Sequence, residues 1–227
     1  VGDQRQRRPM VDYAVKKGLK REFRGFGSVL AQSDFERAFG SPYGLRNSRV
    51  LDEQYRMTPV ISDLVSEIFY APHGVKLRPS DGREPDEAFK ALPPDLSLPV
   101  TWLDTSSLPD AEESDRNMRR DIWNVAEIAT VLALLQRLSL ETELVENLAK
   151  RSDPAIGVIC MYSEQKRRIE REWSQQHFSE AFRRIVTIDT VDAYQGKENS
   201  IVIVTLVRAN EERRPGHVRR ENRCNVA

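Results

Sequence analysis

Arg56 stands where a charged side chain can act on an anion. It follows Arg49-Val50-Leu51, read as a short strand, and precedes Thr58-Pro59, a cap with proline at the first helical position. That junction is the mouth of an open α/β sheet, the kind of crevice in which such sheets bind ligands. A fixed guanidinium there suits charge stabilisation on a transferred γ-phosphoryl group. The alternative is a structural ion pair with Asp52 or Glu53. The chain has no GxxxxGK[ST] phosphate loop, because Gly196-Lys197 is followed by Glu198 and lacks the first glycine. Three scattered histidines (His73, His177, His217) give no zinc-ligand spacing, and Cys160 and Cys224 form no CxxC.

The 227 residues carry 35 Lys+Arg against 35 Asp+Glu, with 39% hydrophobic and 31% charged residues. The length suits one large domain, or a domain with a piece of another. The longest apolar runs, such as Ile201–Val204, are far short of the roughly 20 residues that span a bilayer. No membrane association and no secretory leader are expected, and the cysteine usage suggests an intracellular, cytoplasmic or nuclear, location. Zero net charge does not argue against nucleic-acid binding, since a local patch is enough. Arginine pairs such as Arg167–Arg168, Arg213–Arg214 and Arg219–Arg220 suit phosphate forks or simply solvated helix faces.

Residues 10–48 read as a mostly irregular connector with one short helix at Ser33–Phe39, Phe35 facing inward. A helix after Thr58 carries Val60, Ile61, Leu64, Val65, Ile68 and Phe69 on one face. Residues 73–99 read as loop, Val100–Leu103 as a strand, Asp104–Asp121 as a charged loop. Asp121–Leu138 reads as a helix burying Ile122, Ile128, Val131, Leu132 and Leu135. Three strands follow, at Ala155–Met161, Ile185–Ile188 and Ser200–Val207, with a charged helix capped by Ser163 after the first. Continuous apolar strands are covered on both faces, and their alternation with helices predicts right-handed βαβ units in a parallel sheet.

Several segments, in order, resemble the second half of a superfamily-1 helicase core. The similar branch holds the nonsense-mediated-decay RNA helicase and the Okazaki-fragment nuclease-helicase. Gly2-Asp3-Gln4-Arg5-Gln6 resembles motif III (GDxxQ), and Gln54-Tyr55-Arg56-Met57-Thr58-Pro59 resembles motif IV (QYRMxP). Ile156–Gln165 is similar to IGVITPYxxQ, with Cys160-Met161 in place of the usual Thr-Pro. Asp189–Glu198 resembles motif V (TVDAFQGxE), and Arg223–Ala227 the opening of motif VI. Motif III departs from the usual Leu-Pro-Pro continuation with Arg7-Arg8-Pro9. Asp52-Glu53 also looks like a Walker B end, but only two apolar residues precede it and the motif IV pattern follows.

The resemblance implies an α/β fold: a RecA-like parallel sheet flanked by helices. Residues 1–45 would be the tail of a first RecA-like domain plus connector, and 46–227 a second RecA-like domain. It implies part of an ATP-dependent 5′-to-3′ DNA or RNA helicase or translocase, inactive in ATP hydrolysis as this chain alone. ATP and Mg2+ would be held mainly by the first RecA-like domain of the same parent chain. Arg56 and Gln6 would be catalytic, facing the γ-phosphate, with Tyr55, Gly196 and Glu198 completing the nucleotide contacts and Glu198 accepting from the ribose. Thr190 follows a strand and Ser163 starts a helix, places whose hydroxyls and amides hold phosphate. These two and Asn225 would contact single-stranded nucleic acid. The alternatives are a non-catalytic nucleic-acid-binding or protein-docking domain of helicase architecture, and the motor of a nuclease or antiviral effector.

Overall fold

A computed structural model describes residues 34–80, 85, 87–115, 121–219 and 224–225. Gln6 and most of the 1–45 segment lie outside these residues, as does the Phe35 side chain.

The centre is a three-stranded parallel sheet in the order β6-β5-β7, built from β5 (Ile156–Cys160), β6 (Val186–Thr190) and β7 (Ile201–Thr205). Cys160 stands level with Thr190 on one side and Thr205 on the other, so the three strands end along one carboxyl edge. Every residue of β5 is buried, as its unbroken apolar run requires of a central strand. Gly157 sits mid-strand because the Tyr194 ring lies over it; a Cβ there would overlap the Tyr194 hydroxyl.

One layer of helices covers the sheet. It contains α4 (Val125–Leu140), α5 (Thr142–Ala149), α6 (Ser163–Gln175) and α7 (Glu180–Ile185). Leu135, Leu138, Leu144, Leu148, Ile169 and Phe182 pack with Ile156 and Val158 into the main core. Full burial of such a side chain is worth about 1.5–3 kcal/mol. A second cluster, with Ile159, Met161, Val191, Tyr194 and Val207, lies towards the carboxyl edge.

Several expectations are corrected. The helix read over Asp121–Leu138 begins only at Val125. Ile122–Asn124 forms β4, antiparallel to β3 (Glu113–Asp115), which lies within the stretch read as a charged loop. Asn124 is the cap: its side chain accepts from the Glu127 amide at 2.9 Å. Ile122 is buried, but on β4. Val100–Leu103 forms no strand, and Trp102 is 77% exposed. A short apolar run next to Pro99 found no ladder partner. The strand expected at Arg49–Leu51 falls instead at β1 (Glu53–Gln54), which pairs in parallel with β2 (Arg78–Pro79) and stands apart from the central sheet.

The amino-terminal elements are α1 (Asp34–Phe39), α2 (Pro42–Asn47) and α3 (Pro59–Val65), the last running on as a π-helical turn over Ser66–Tyr70. α2 falls in the stretch read as irregular. Thr58 occupies the cap position of α3, but its hydroxyl makes no hydrogen bond. The expected apolar face turns inward only in part: Ile61, Val65 and Phe69 are half-buried beside the buried Ser62 and Ser66, while Val60, Leu64 and Ile68 are exposed.

Candidate functional site

Arg56 leaves β1 through a tight turn that its neighbour holds. The Gln54 carboxamide oxygen accepts from the amides of Arg56 (2.9 Å) and Met57 (2.7 Å), and its nitrogen donates to the Met57 carbonyl at 2.9 Å. Gln54 thus closes the turn on itself and fixes where the Arg56 side chain starts. Asp52, one of the expected partners, is taken by Arg78 at 2.8 Å, and that hydrogen bond holds its carboxyl below the usual range. Neither Asp52 nor Glu53 pairs with Arg56. Its Nε donates instead to Glu198 Oε1 at 2.8 Å, closing a sequence separation of 142 residues.

Glu198 is positioned by the loop between β6 and β7. That loop leaves the carboxyl edge at Thr190 and turns at Gly196, whose φ of 87° is the left-handed region that favours glycine. It then returns to the amino end of β5, where Asn199 Nδ2 donates to the Pro154 carbonyl at 2.6 Å and the Ser200 and Ile201 amides reach Ala155. Tyr194 braces the same loop through a short hydrogen bond to Asn199. Burial pushes the Tyr194 phenol up to about 12, so it stays neutral.

The Arg56–Glu198 pair is open to solvent, with side chains 52% and 63% exposed. Pairs of that exposure are worth only about 0.2–1 kcal/mol. A ligand bearing phosphate and hydroxyl groups can therefore separate them at little cost, taking the guanidinium with one end and the carboxylate with the other. Tyr55 is 60% exposed beside them, its phenol raised by the neighbouring Glu53 charge and by a hydrogen bond to it.

At the carboxyl edge, Thr190 ends β6 and Ser163 opens α6 one strand away, just past the end of β5. Ser163 is the first helical residue rather than the cap, a place taken by Tyr162 without a side-chain bond. Ser163 is exposed and its turn leaves early amides of α6 free of helical partners. Next to Thr190 lies Asp189, whose carboxylate accepts from Lys197 (2.8 Å), the Thr190 amide (2.9 Å) and Lys166 (3.1 Å). Burial alone would raise its pKa, but Lys197, the Thr190 amide and Lys166 outweigh it and bring it to about 2. Asp189 therefore ties Thr190 to Lys197, whose next residue is Glu198.

The expected residues thus fall into two groups joined by one loop. Tyr55, Arg56 and Glu198 gather where β1 meets the end of that loop, with Gly196 in its turn; Thr190 and Ser163 share the carboxyl edge. Asn225 is with neither: its side chain donates to the Tyr70 hydroxyl at 3.1 Å. Among the described residues no group of three His, Cys, Asp or Glu side chains is placed to hold a metal. Burial raises the Cys160 thiol to about 12, which removes it as a nucleophile. No described helix is long and apolar enough to cross a membrane.

Two structural groups escaped the sequence reading. One is Gln54. The other is a buried network of Asn124, Glu127, Gln165 and Thr205 behind the carboxyl edge. An Asn-x-x-Glu spacing ahead of an apolar run signals a capped helix start, and would have found both Asn124 and Glu127.

Residues 30–227 match the AAA domain family AAA_12. The chain is 29% identical over 192 residues to the DNA polymerase alpha-associated DNA helicase A of Saccharomyces cerevisiae, covering 79% of this chain and 26% of that protein. It is 32% identical over 178 residues to the 5′-3′ DNA helicase ZGRF1 of Mus musculus, covering 78% of this chain and 8% of that one. It is 29% identical over 251 aligned positions to the DNA replication ATP-dependent helicase/nuclease DNA2 of Bos taurus, covering 100% and 21%. The chain spans about a quarter or less of the length of these relatives.

Proposed function

This chain belongs to the AAA_12 family, in the superfamily-1 helicase branch, and we propose that it supplies the second half of an ATP cleft and of a single-strand groove. The whole protein would be an ATP-dependent 5′-to-3′ helicase or translocase acting on DNA or RNA. Residues 46–227 would form its second RecA-like domain and 1–45 the tail of the first. The observation that carries this reading is the Arg56–Glu198 pair, which unites two motif residues 142 positions apart on one exposed surface.

In the nucleotide-bound state Arg56 leaves Glu198 for the γ-phosphate and neutralises charge as the terminal phosphoryl group transfers to water. Glu198 accepts from a ribose hydroxyl, and Tyr55 lies against the nucleotide. Gln6 reaches the γ-phosphate from the first domain's side. Mg2+ would neutralise phosphate charge when bound, and its ligands belong to the phosphate-loop domain rather than to these residues. Thr190 and Ser163 hold successive backbone phosphates of a single strand, with Asn225 as a further contact. The Asp189–Lys197 link passes movement at Thr190 to Glu198, and so to the nucleotide. Contacts of this kind are to backbone and give little sequence preference.

The test is made in a polypeptide carrying this chain together with its phosphate-loop domain. Glu198→Ala raises the KM for ATP with kcat little changed, because a ribose contact is made in both ground and transition states. It also removes the preference for ATP over 2′-deoxyATP. An unchanged KM and an unchanged preference would refute the ribose assignment.

A further inference from the structure

Among the described residues three non-glycine positions have positive φ: Asp110, Arg213 and Val207. The first two are exposed polar residues in turns. Val207 is fully buried, β-branched and at φ 73°, a conformation in which its Cβ crowds its own backbone. Something must hold it there. Its amide donates to both carboxylate oxygens of Glu127, at 2.9 and 3.0 Å, and its carbonyl accepts from Asn124 Nδ2 at 3.5 Å. Glu127 also accepts a short hydrogen bond from the Thr205 hydroxyl. Gln165 completes the set: it accepts from the Asn124 amide at 2.9 Å and donates to Thr205 at 2.8 Å. The network joins the first turn of α4, the end of β7 and the first turn of α6, two residues past Ser163.

The left-handed turn at Val207 decides where the chain goes next. Ala209 returns to β3, accepting from the Glu113 amide at 2.8 Å and donating to the Glu113 carboxylate at 3.1 Å. Arg208 is clamped by that same carboxylate at 3.0 Å and by the Arg214 carbonyl. It packs beside Gly216, which also faces the Tyr162 hydroxyl, so the turn lies against the start of α6. Beyond it Arg213 and Arg214 stand exposed.

We propose that Glu127 is a positioning residue for strand binding: by holding the Val207 amide, it sets the Arg208–Arg214 turn beside Ser163 on the phosphate-facing edge. The proposal rests on the strand-groove reading above. It extends that reading to a carboxylate that itself touches no strand.

Glycine adopts positive φ without a Cβ penalty, so Val207→Gly should replace the work of Glu127 on the backbone path. The experiment compares wild type, Glu127→Ala, Val207→Gly and the double variant, by anisotropy with labelled oligo(dT) below every melting transition. Glu127→Ala is expected to weaken binding about fivefold or more, while the double variant returns to within about twofold of Val207→Gly. Glu127→Met, which removes the acceptor and keeps the side-chain length, carries the same comparison if Glu127→Ala does not fold. Binding within about twofold of wild type in the single variant would overturn the proposal, as would a double variant as weak as the single.

Amide hydrogen exchange reads the geometry without any strand. Protection at Glu113 and Ala209 falls in Glu127→Ala and returns in the double variant. Unchanged protection in Glu127→Ala would also overturn the proposal. If the wild-type chain binds no oligonucleotide, the strand-groove reading fails, and the exchange pattern alone decides whether Glu127 sets the turn.

Discussion

Among the described residues Asp189 carries a clear pH signature. Its folded pKa of about 2 lies below the ordinary 3.8, so its ion pairs add stability that is fully present above about pH 4. That stability is lost as pH falls through 2. Thermal melts of wild type and Asp189→Asn should therefore differ most near neutrality and converge between pH 4 and pH 2; a gap that is constant with pH would show that Lys166 and Lys197 do not hold the carboxylate. At this scale the sequence was partly legible. Arg56 and Glu198 were each singled out, one by its place after a strand and both by the motifs they complete. Their contact was not legible, because a separation of 142 residues is closed only by the returning loop. Gln54 and Glu127 act through backbone amides, and nothing in a side chain's identity announces which amide it will meet.

The β6–β7 loop links the two groups of candidate residues, since it reaches from Thr190 to Glu198. It is held over β5 by Tyr194, and that fit needs glycine at position 157. Gly157→Ala should cost about 1–3 kcal/mol of stability, the usual range for overpacking a core. Tyr194→Phe in the same chain should recover part of the loss, because the hydroxyl is the colliding atom. Additive losses in denaturant titrations would contradict this packing. The strands β5 and β7 were legible as apolar runs and β6 as a shorter β-branched stretch, each shifted by one or two residues at its ends. Val100–Leu103 has the same composition but no partner strand beside it, and pairing is not written in a single run. The helix after Thr58 was read by its spacing, yet its most deeply buried residues are Ser62 and Ser66, with Ile61, Val65 and Phe69 only half-buried beside them. Spacing fixes a helix face without fixing which way that face turns.

For the molecule as a whole, the parallel sheet and its helical layer follow from alternating strand and helix signals, while the order β6-β5-β7 was not written in them; the AAA_12 match covers residues 30–227. On the proposed reading, the two candidate sites at opposite ends of one loop are each completed by another domain. The chain alone, with no GxxxxGK[ST], should show no ATP hydrolysis above background; phosphate release sensitive to Arg56→Ala would contradict this. Oligonucleotide binding by the chain alone should be weak and fall steeply with salt, since phosphate contacts release counterions. Tight or sequence-selective binding would contradict a half groove. Whether Arg56 serves the γ-phosphate of ATP is read from strand-stimulated ATP turnover of Arg56→Ala in a polypeptide that also carries the phosphate-loop domain. Turnover should fall by about 10³–10⁵ with single-strand affinity unchanged. Turnover within about threefold of wild type would contradict that role and leave Arg56 a structural partner of Glu198.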